Sequence, residues 1–369
     1  MRVLINGLQA GNKSGTGRYV EELCAALPDA DADMSLSVLW PPEGPAMGGH
    51  PRRDVLPVVK SAVGGVLFDH AGIRKMVRGT GADLIHYPAS TGCLFPPCPV
   101  VQTVHDLCFM RRPEWFPAAK SLYYRLFISG TAPRADLVLA DSQATAEDVR
   151  QLLGVPESRI RVVPLGVSPR FSPADTAAKA VVRTKYGLPE KFFLFVGTVE
   201  PRKNLPRVVQ AWDRATGPGF PALVIAGRDG WKTMPTKDAF REARYSSGII
   251  RLRHVEEGDL PALMSAATVF VWPSLMEGFG LPVLEAMACG VPVITSSTSS
   301  MPEVAGKAAL CVNPESVGEI AEAITGLAED EQLRENLSMA GRAQAAQFTW
   351  ANTAKMTAAA YREVCGRGK

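Results

Sequence analysis

The chain has 369 residues, of which 46% are hydrophobic and 21% charged, and its formal net charge at pH 7 is +3. This composition is typical of a soluble globular protein, the length is sufficient for two α/β cores, and the charge is too small to favour nucleic acid as a partner. No apolar run reaches the roughly 18 residues of a membrane span, and the first residues indicate a strand rather than a signal peptide, so we expect a cytoplasmic protein.

Short apolar blocks alternate with helix-like stretches along almost the whole chain. The predicted strands of the first half are Arg2–Asn6, Ser35–Trp40, Asp83–Tyr87, Val100–His105, Leu137–Asp141 and Ile160–Pro164. Those of the second half are Phe192–Gly197, Ala222–Ala226, Ile249–Arg253, Thr268–Trp272, Pro292–Thr295 and Ala309–Val312. Continuous apolar blocks suit strands covered on both faces, so the alternation predicts an α/β protein with doubly wound parallel sheets.

A linker divides these elements into two similar halves. The segment Ser168–Pro173 contains two prolines among serines and is followed by polar residues, which is typical of a linker. The stretch from Glu329 to Gly366 has a continuous helical pattern with Phe348 and Trp350 as large apolar anchors. We therefore predict two domains followed by a long terminal helix.

The segment Glu277–Glu285 reads EGFGLPVLE and follows a predicted strand. Its two glycines let the backbone turn and approach a ligand, and its proline fits a first helical turn, so a helix should begin near Gly280 or Leu281. Such a helix N-terminus binds anions. Glu285 could then accept two hydrogen bonds from a vicinal diol such as a ribose, and Glu277 would lie near a sugar. Either glutamate alone could instead be an ordinary acid of a helix start or a loop.

The segment Glu200–Asn204 reads EPRKN and precedes a predicted helix that starts at Leu205. Asn204 is predicted to be the N-cap of this helix. Arg202 and Lys203 face the positive end of the helix, which is unfavourable unless a bound diphosphate reverses the sign. Solvated surface charge is the alternative interpretation for the two cations alone.

The first half offers a glycine loop, Gly15–Tyr19, after the first strand, and a histidine, His105, at the end of another. The loop is a poor dinucleotide fingerprint because Val20 stands at the third glycine position. A flexible loop around Gly17 that closes on an acceptor or a phosphate fits better. His105 could bond a sugar hydroxyl or stabilise developing charge, although a lone histidine is more often structural.

Together these residues resemble glycosyltransferase family 4, whose members have the GT-B fold of two Rossmann-like domains facing each other across a cleft. The resemblance covers nearly the whole chain, from the Gly15–Tyr19 loop to the Phe348–Trp350 segment. Its most specific element is the pair of glutamates, Glu277 and Glu285, with seven residues between them.

The resemblance implies roles for individual residues. Glu285 should hold the ribose and Glu277 the hydroxyls of the donor sugar, while Arg202 and Lys203 should bind the diphosphate. His105 matches the histidine beside the transferred sugar. The remaining residues predicted to bind the donor are Gly17, Val255, Gly278, Phe279, Gly280 and Leu281, of which Val255 would face the nucleobase with its backbone.

By the same resemblance, residues 1–170 form an acceptor-binding domain, residues 171–348 bind the nucleotide sugar, and the helix of residues 349–369 crosses back to the first domain. Transfer should retain the anomeric configuration. It should need no metal and no other cofactor, because Arg202 and Lys203 neutralise the leaving diphosphate. The DxD-like sequence Asp31–Asp33 lies in a polar loop and looks incidental.

The segment His105–Phe116 resembles that of bacterial enzymes that build surface polysaccharides such as lipopolysaccharide, many of which use GDP-mannose. We expect a mannosyltransferase with a saccharide or lipid-linked saccharide acceptor; UDP-linked glucose or N-acetylglucosamine is the alternative donor. The stretch Ala118–Ile128 carries basic and aromatic residues that could contact the inner face of the cell membrane. An ordinary amphipathic core-facing helix is the alternative.

Three other functions fit less well. A nucleotide-sugar epimerase would need several acids around the sugar, and only Asp106 and Asp141 stand at strand ends in the first half. A non-catalytic sensor of sugar nucleotides would be expected to have lost Glu277, Arg202 or Lys203, and all three are present. The missing third glycine disfavours an NAD-dependent oxidoreductase.

Overall fold

The computed structural model describes residues 1–12, 15–47, 49–50, 53–57, 72–89 and 92–366. The chain divides into two compact units. The first combines Met1–Pro113, Ala118–Gly166 and Phe348–Lys369, and the second combines Glu114–Pro117 with Val167–Gln347. Each unit is built around a parallel sheet.

The first unit has seven strands within its described residues. They are β1 (Arg2–Asn6), β2 (Ser35–Trp40), β3 (Arg53–Pro57), β4 (Leu84–Tyr87), β5 (Val100–Val104), β6 (Leu137–Ala140) and β7 (Ile160–Val162). Their order across the sheet is β3-β2-β1-β4-β5-β6-β7, and all pairs are parallel. The helices between them are α1 (Gly15–Ala30), α2 (Ile73–Thr80), α3 (Cys108–Arg111), α4 (Ala118–Thr131) and α5 (Gln143–Leu153).

The second unit, which is fully described, has a six-stranded parallel sheet. Its strands are β8 (Phe192–Val196), β9 (Ala222–Ala226), β10 (Ile249–Leu252), β11 (Val269–Trp272), β12 (Val293–Ser296) and β13 (Leu310–Val312), in the order β10-β9-β8-β11-β12-β13. Its helices are α6 (Thr176–Tyr186), α7 (Leu205–Ala215), α8 (Met234–Glu242), α9 (Leu260–Ala266), α10 (Leu281–Ala288), α11 (Met301–Ala305), α12 (Val317–Glu329) and α13 (Glu331–Ala345).

The last described helix, α14 (Trp350–Gly366), belongs to the first unit and packs on α1. Its Tyr361 hydroxyl lies 2.6 Å from Nδ1 of His86 in β4, and both side chains are buried. Its Glu363 carboxylate accepts hydrogen bonds from Arg161 at 2.6 and 3.0 Å. Within the described ranges, none of the helices combines the length and the apolarity needed to span a bilayer.

The predicted α/β fold with two doubly wound parallel sheets is confirmed, and the sheets are covered on both faces. Residues Phe192–Phe195 of β8, for example, have no exposed surface. In each sheet the strand order reverses direction beside the first strand of that sheet. This occurs between β1 and β4 in the first unit and between β8 and β11 in the second. Ligands of open α/β sheets bind beyond the carboxyl ends of the strands at such a point.

Two sequence predictions about elements are wrong. Strand β3 was not predicted, because its sequence RDVLP is short, half polar and ends in proline; these features suit its place at the edge of the sheet. The tail is not one continuous helix after Glu329. The Asp330 side chain accepts a hydrogen bond from Leu333 N and starts α13, and the Thr349 side chain accepts one from Asn352 N at the start of α14.

Candidate active site

Two loops of the second unit meet at the point where its strand order reverses. One follows β8 and carries Arg202 and Lys203; the other follows β11 and carries Glu277. The Glu277 carboxylate accepts hydrogen bonds from both cations: Lys203 Nζ lies 2.6 Å from Oε1, and Arg202 Nη1 bonds Oε2. Arg202 Nε lies 2.6 Å from Oε1 of Glu200 in its own loop. The structure thus brings these three predicted residues together.

This ion cluster is largely shielded from solvent. Glu200, Lys203 and Glu277 are 5%, 8% and 7% exposed, and the Lys203 ammonium lies 4.2 Å from the ring centroid of Trp272. Burial alone would raise the pKa of Glu277, but Arg202 and Lys203 outweigh it and hold that pKa below its ordinary value. Burial, helped by Arg202, lowers the pKa of Lys203. Two cations are balanced here by two carboxylates.

Serine hydroxyls fix the position of Glu277. Ser274 Oγ lies 2.5 Å from the carboxylate of Glu277 and 2.8 Å from the carbonyl oxygen of Arg202. After β12, the hydroxyls of Ser299 and Ser300 donate to the carbonyl oxygen of Glu277 at 2.6 and 3.0 Å. The loop after β11 is therefore held from two neighbouring strands.

Helix α10 begins at Leu281, as predicted, and Gly280 before it has a φ of 110°. This left-handed conformation favours glycine, and a Cβ at Gly280 would in addition lie 2.3 Å from Cε, the end of the Met301 side chain, which would have to move. Glu285 lies one turn inside α10 and is 2% exposed. Gly278, Phe279, Gly280 and Leu281 thus form the backbone between Glu277 and the helix, at the carboxyl end of β11.

Asn204 does not cap α7 with its side chain, contrary to the prediction. Its φ of 62° places it in the left-handed region, and its side chain makes no capping hydrogen bond. Its amide instead donates to the carbonyl oxygens of Pro273 at 3.0 Å and Pro314 at 2.6 Å. Asn204 therefore ties the loop after β8 to the segments that follow β11 and β13.

Within the first unit, His105 directly follows β5 and Asp141 directly follows β6. His105 Nδ1 lies 2.7 Å from Oδ2 of Asp141, and His105 Nε2 lies 2.9 Å from the carbonyl oxygen of Pro88. The Tyr19 ring of α1 stands edge-on to the His105 ring, with centroids 4.7 Å apart. Gly17 lies on the same helix, two residues before Tyr19.

Val255 is separate from the ion cluster. It is half-buried and follows β10, which is the edge strand of its sheet and is separated from β8 by β9. Val255 and the ion cluster therefore lie at the same carboxyl edge of the sheet, but Val255 follows β10 whereas the cluster follows β8 and β11. Among the residues that the structure describes, no three His, Cys, Asp or Glu side chains are grouped so as to hold a metal ion.

Sequence reasoning missed three residues of these clusters. Glu200 stood in the EPRKN segment without a role, Ser274 precedes Glu277 by three positions, and Asp141 was considered only as an acid of an epimerase. A usable signal existed for Asp141. Adjacent parallel strands end at the same edge, and Val104 pairs with Ala140, so the residues that follow them are neighbours.

Comparison with known proteins agrees with this architecture. Residues 13–171 match the family described as Glycosyltransferase Family 4, and residues 180–344 match the family described as Glycosyl transferases group 1. The O-antigen chain mannosyltransferase B of Escherichia coli is 35% identical over 266 residues, which cover 71% of this chain and 70% of that protein.

Solved structures show the same fold at lower identity. The sucrose-phosphate synthase of Thermosynechococcus elongatus has a TM-score of 0.79 at 20% identity, with all of both chains covered. Anabaena Alr3699/HepE, solved in complex with UDP and glucose, has a TM-score of 0.75 at 19% identity, covering 98% of this chain and 99% of that one. The fold, the two family matches and the related mannosyltransferase place this chain in glycosyltransferase family 4, with the GT-B fold.

Proposed function

We propose that this glycosyltransferase moves mannose from GDP-mannose, with retention and without a metal, to a saccharide or lipid-linked saccharide in surface polysaccharide synthesis. The observation that carries the proposal is the cluster of Arg202, Lys203 and Glu277. It lies at the carboxyl ends of β8 and β11, where an α/β sheet binds its ligand.

In this proposal Arg202 and Lys203 bind the diphosphate of the donor. Negative charge grows on the diphosphate as the sugar leaves, and two cations fixed in a shielded site stabilise that charge more than water does. The backbone from Gly278 to Leu281 receives phosphate oxygens at the N-terminus of α10. The shielding of Lys203 and its hydrogen bond to Glu277 favour this arrangement, because charges held in place need no reorganisation during the reaction.

Glu285 holds the ribose in the same proposal, and Glu277 bonds hydroxyls of the donor sugar. Both carboxylates are nearly buried, at 2% and 7% exposure, which favours short hydrogen bonds over solvation. Gly17 and His105 contribute from the first unit, and Val255 faces the base. No residue of the cluster acts as a general base, because the leaving diphosphate accepts the proton of the acceptor hydroxyl.

Mannose as the transferred sugar is favoured by the E. coli relative, which is named O-antigen chain mannosyltransferase B; GDP-mannose is our proposed mannosyl donor. That relative also motivates a saccharide acceptor. A UDP-sugar is the second candidate donor, because HepE, with a similar fold, was solved with UDP and glucose.

The donor proposal is tested by thermal unfolding with GDP, UDP, ADP and TDP in the absence of metal. A nucleotide at about 100 times its Kd stabilises the native state by about 2.7 kcal/mol. Stabilisation by GDP alone supports the GDP-mannose proposal, and stabilisation by UDP alone replaces the donor. The Glu285→Gln variant should lose the response, whereas Glu335→Gln, an exposed substitution in the same unit, should keep it. No response to any nucleotide contradicts the proposed nucleotide site.

The role of the cations is tested by steady-state kinetics. Arg202→Ala and Lys203→Met should each lower kcat by roughly 100-fold, the size seen when one fixed donor to a developing anion is removed. A rise in KM with unchanged kcat would mean that the cations bind ground state and transition state equally. Activity should survive EDTA, and a metal requirement would contradict the proposed charge neutralisation.

The epimerase alternative loses support in the structure. The Asp141 carboxylate is bonded to His105, and the Asp106 carboxylate accepts a hydrogen bond from Cys108 N at 3.1 Å. The two strand-end acids of the first unit therefore already have partners of their own.

We propose in addition that α4 contacts an anionic membrane surface. Its Leu122, Tyr123 and Leu126 are 57%, 41% and 65% exposed, and their spacing places them on one face of the helix. Lys120 and Arg125 are exposed on the same helix, which contains no acidic residue. Apolar side chains flanked by cations suit an interface of anionic lipid.

Flotation with lipid vesicles tests the membrane contact. The protein should float with vesicles that contain anionic phospholipid and much less with neutral phosphatidylcholine. Leu126→Glu should abolish flotation, and Val181→Glu, at a side chain that is 66% exposed in the second unit, is the matched control. Equal behaviour of the two variants would contradict a role of α4.

A further inference from the structure

Both ring nitrogens of the His105 side chain face hydrogen-bond acceptors. Nε2 lies 2.9 Å from the carbonyl oxygen of Pro88, and Nδ1 lies 2.7 Å from the carboxylate of Asp141. A carbonyl oxygen cannot donate, so Nε2 carries a proton. The proton shared between Nδ1 and Asp141 then decides whether the ring is neutral or an imidazolium.

The surroundings of His105 favour the cation. Burial alone would lower the pKa of His105, but Asp141 outweighs burial and Asp106 adds to its effect, so the pKa is raised. The Tyr19 ring of α1 covers one side of the imidazole. His86 of β4 is bonded to Thr103 at 2.8 Å; burial, together with His105, lowers the pKa of His86 to about 3, so His86 stays neutral.

We infer that Asp141 is a positioning residue that fixes His105 as an imidazolium, which can donate hydrogen bonds but cannot accept a proton. The inference rests on the proposed function only for the statement that His105 faces the transferred sugar. A ligand oxygen would compete with the carbonyl oxygen of Pro88 for the Nε2 proton. His105 would thus supply positive charge and a donor, and it would be excluded as the base that deprotonates the acceptor.

The protonation state is tested without any substrate, by ¹⁵N NMR of the histidine side chains of the full chain, with His105→Gln to assign the signal. We expect both His105 nitrogens to be protonated at pH 7, because the pKa of His105 is raised above its ordinary value. Asp141→Asn keeps an acceptor oxygen but removes the charge. In this variant the pKa of His105 should fall below 7, so that its ring is neutral at pH 7. A wild-type His105 that is neutral at pH 7, or that titrates near its ordinary pKa, overturns the inference whether or not the enzyme is active.

The consequence for catalysis is tested by the pH profile of kcat/KM, with a donor that carries the nucleotide selected by the thermal-unfolding test. Asp141→Asn should lower kcat/KM at pH 8 by roughly 10- to 100-fold. In the same variant, activity should also fall as pH rises through the new, lower pKa of His105. Asp141→Glu should restore much of kcat/KM and much of the wild-type pH profile.

The control is Asp148→Asn, which removes the 2.5 Å pair with Arg111 in the same unit and should leave the pH profile unchanged. An unchanged profile in Asp141→Asn contradicts the inference. Absence of transfer from every donor, with a protonated His105, contradicts only the proposed function.

Discussion

The Glu277 carboxylate is bonded to both of the cations that we propose bind the diphosphate. Its two carboxylate oxygens are bonded to Arg202 and Lys203, and Arg202 is also bonded to Glu200. A ligand diphosphate must therefore compete with a carboxylate for the same donors. Binding of the diphosphate would release Glu277 toward the sugar hydroxyls, so one residue would change partners during each turnover.

This competition gives opposite expectations for binding and for catalysis in Glu277→Gln. An amide holds the cations less strongly than a carboxylate, so the variant should bind free nucleoside diphosphate roughly tenfold more tightly, a difference of about 1.4 kcal/mol. Its kcat should fall because the sugar loses a charged acceptor. Calorimetric titration and steady-state kinetics measure the two quantities. Weaker diphosphate binding in the variant would contradict the competition.

The lowered pKa of Glu277 predicts a stability that depends on pH. A group whose folded pKa lies below its unfolded pKa stabilises the fold above the unfolded value, here about 4.5, and this stability is lost as pH falls through the folded pKa. As pH is lowered below 5, the free energy of unfolding measured with urea should therefore fall more steeply for the wild type than for Glu277→Gln. Parallel curves would show that the cations do not perturb Glu277.

At the scale of single elements, the first turn of α1 depends on close packing at one glycine. A Cβ at Gly17 would lie 1.9 Å from the carbonyl oxygen of Asn12, whereas a Cβ at Gly15 on the same helix has nothing within 4 Å. The predicted role of Gly17 in binding thus has a packing explanation beside it.

The two glycines offer a matched test. Gly17→Ala should destabilise the first unit by about 1–3 kcal/mol because the backbone must shift. Gly15→Ala should be neutral or slightly stabilising because it reduces the freedom of the unfolded chain. Chemical denaturation compares them. If Gly17→Ala unfolds like the wild type but loses activity, the residue acts on a ligand and packing does not explain it.

Elements defined by local pattern were predictable from the sequence. The start of α10 follows from a glycine and a proline in fixed order, and buried parallel strands follow from continuous apolar blocks. Features that depend on partners far away in the sequence were not predictable from it. Asn204 looked like a cap because caps are local, whereas its amide bonds Pro314, which lies 110 residues away. Similarly, the pair of Glu200 with Arg202 is local, but nothing near Glu200 in the sequence shows that Glu277 of another loop joins this pair in a shielded cluster.

For the whole molecule, the first unit includes α14 from the far end of the chain. The buried Tyr361 hydroxyl bonds His86, whose low pKa of about 3 keeps it neutral. Arg362, the next residue, makes a 2.6 Å pair with Asp31 but its side chain is 57% exposed. The Asp31 side chain of this pair is only 5% exposed, so neighbouring residues of α14 both bond to buried groups of the first unit.

Tyr361→Phe should destabilise the first unit by about 1–3 kcal/mol, because a buried polar atom of His86 loses its partner. Arg150→Ala, which removes a pair with Glu147 in the same unit whose two side chains are 50% and 45% exposed, should change stability much less than that. Two units need not unfold together, so hydrogen exchange followed by mass spectrometry should be read separately for each. Equal effects of the two substitutions would contradict the importance of the buried bond.

The return of Phe348–Lys369 to the first unit also constrains the order of events during synthesis. Chains fold while they are made, at about 5–20 residues per second, and domains generally fold as units. Every residue of the second unit leaves the ribosome before α14 does. The unit that starts first is therefore completed last, and until then β4 and α1 lack the helix that covers them. A nascent chain would therefore contain the complete sheet of the second unit while the first unit is still incomplete, which is the interval when chaperones would have most to bind.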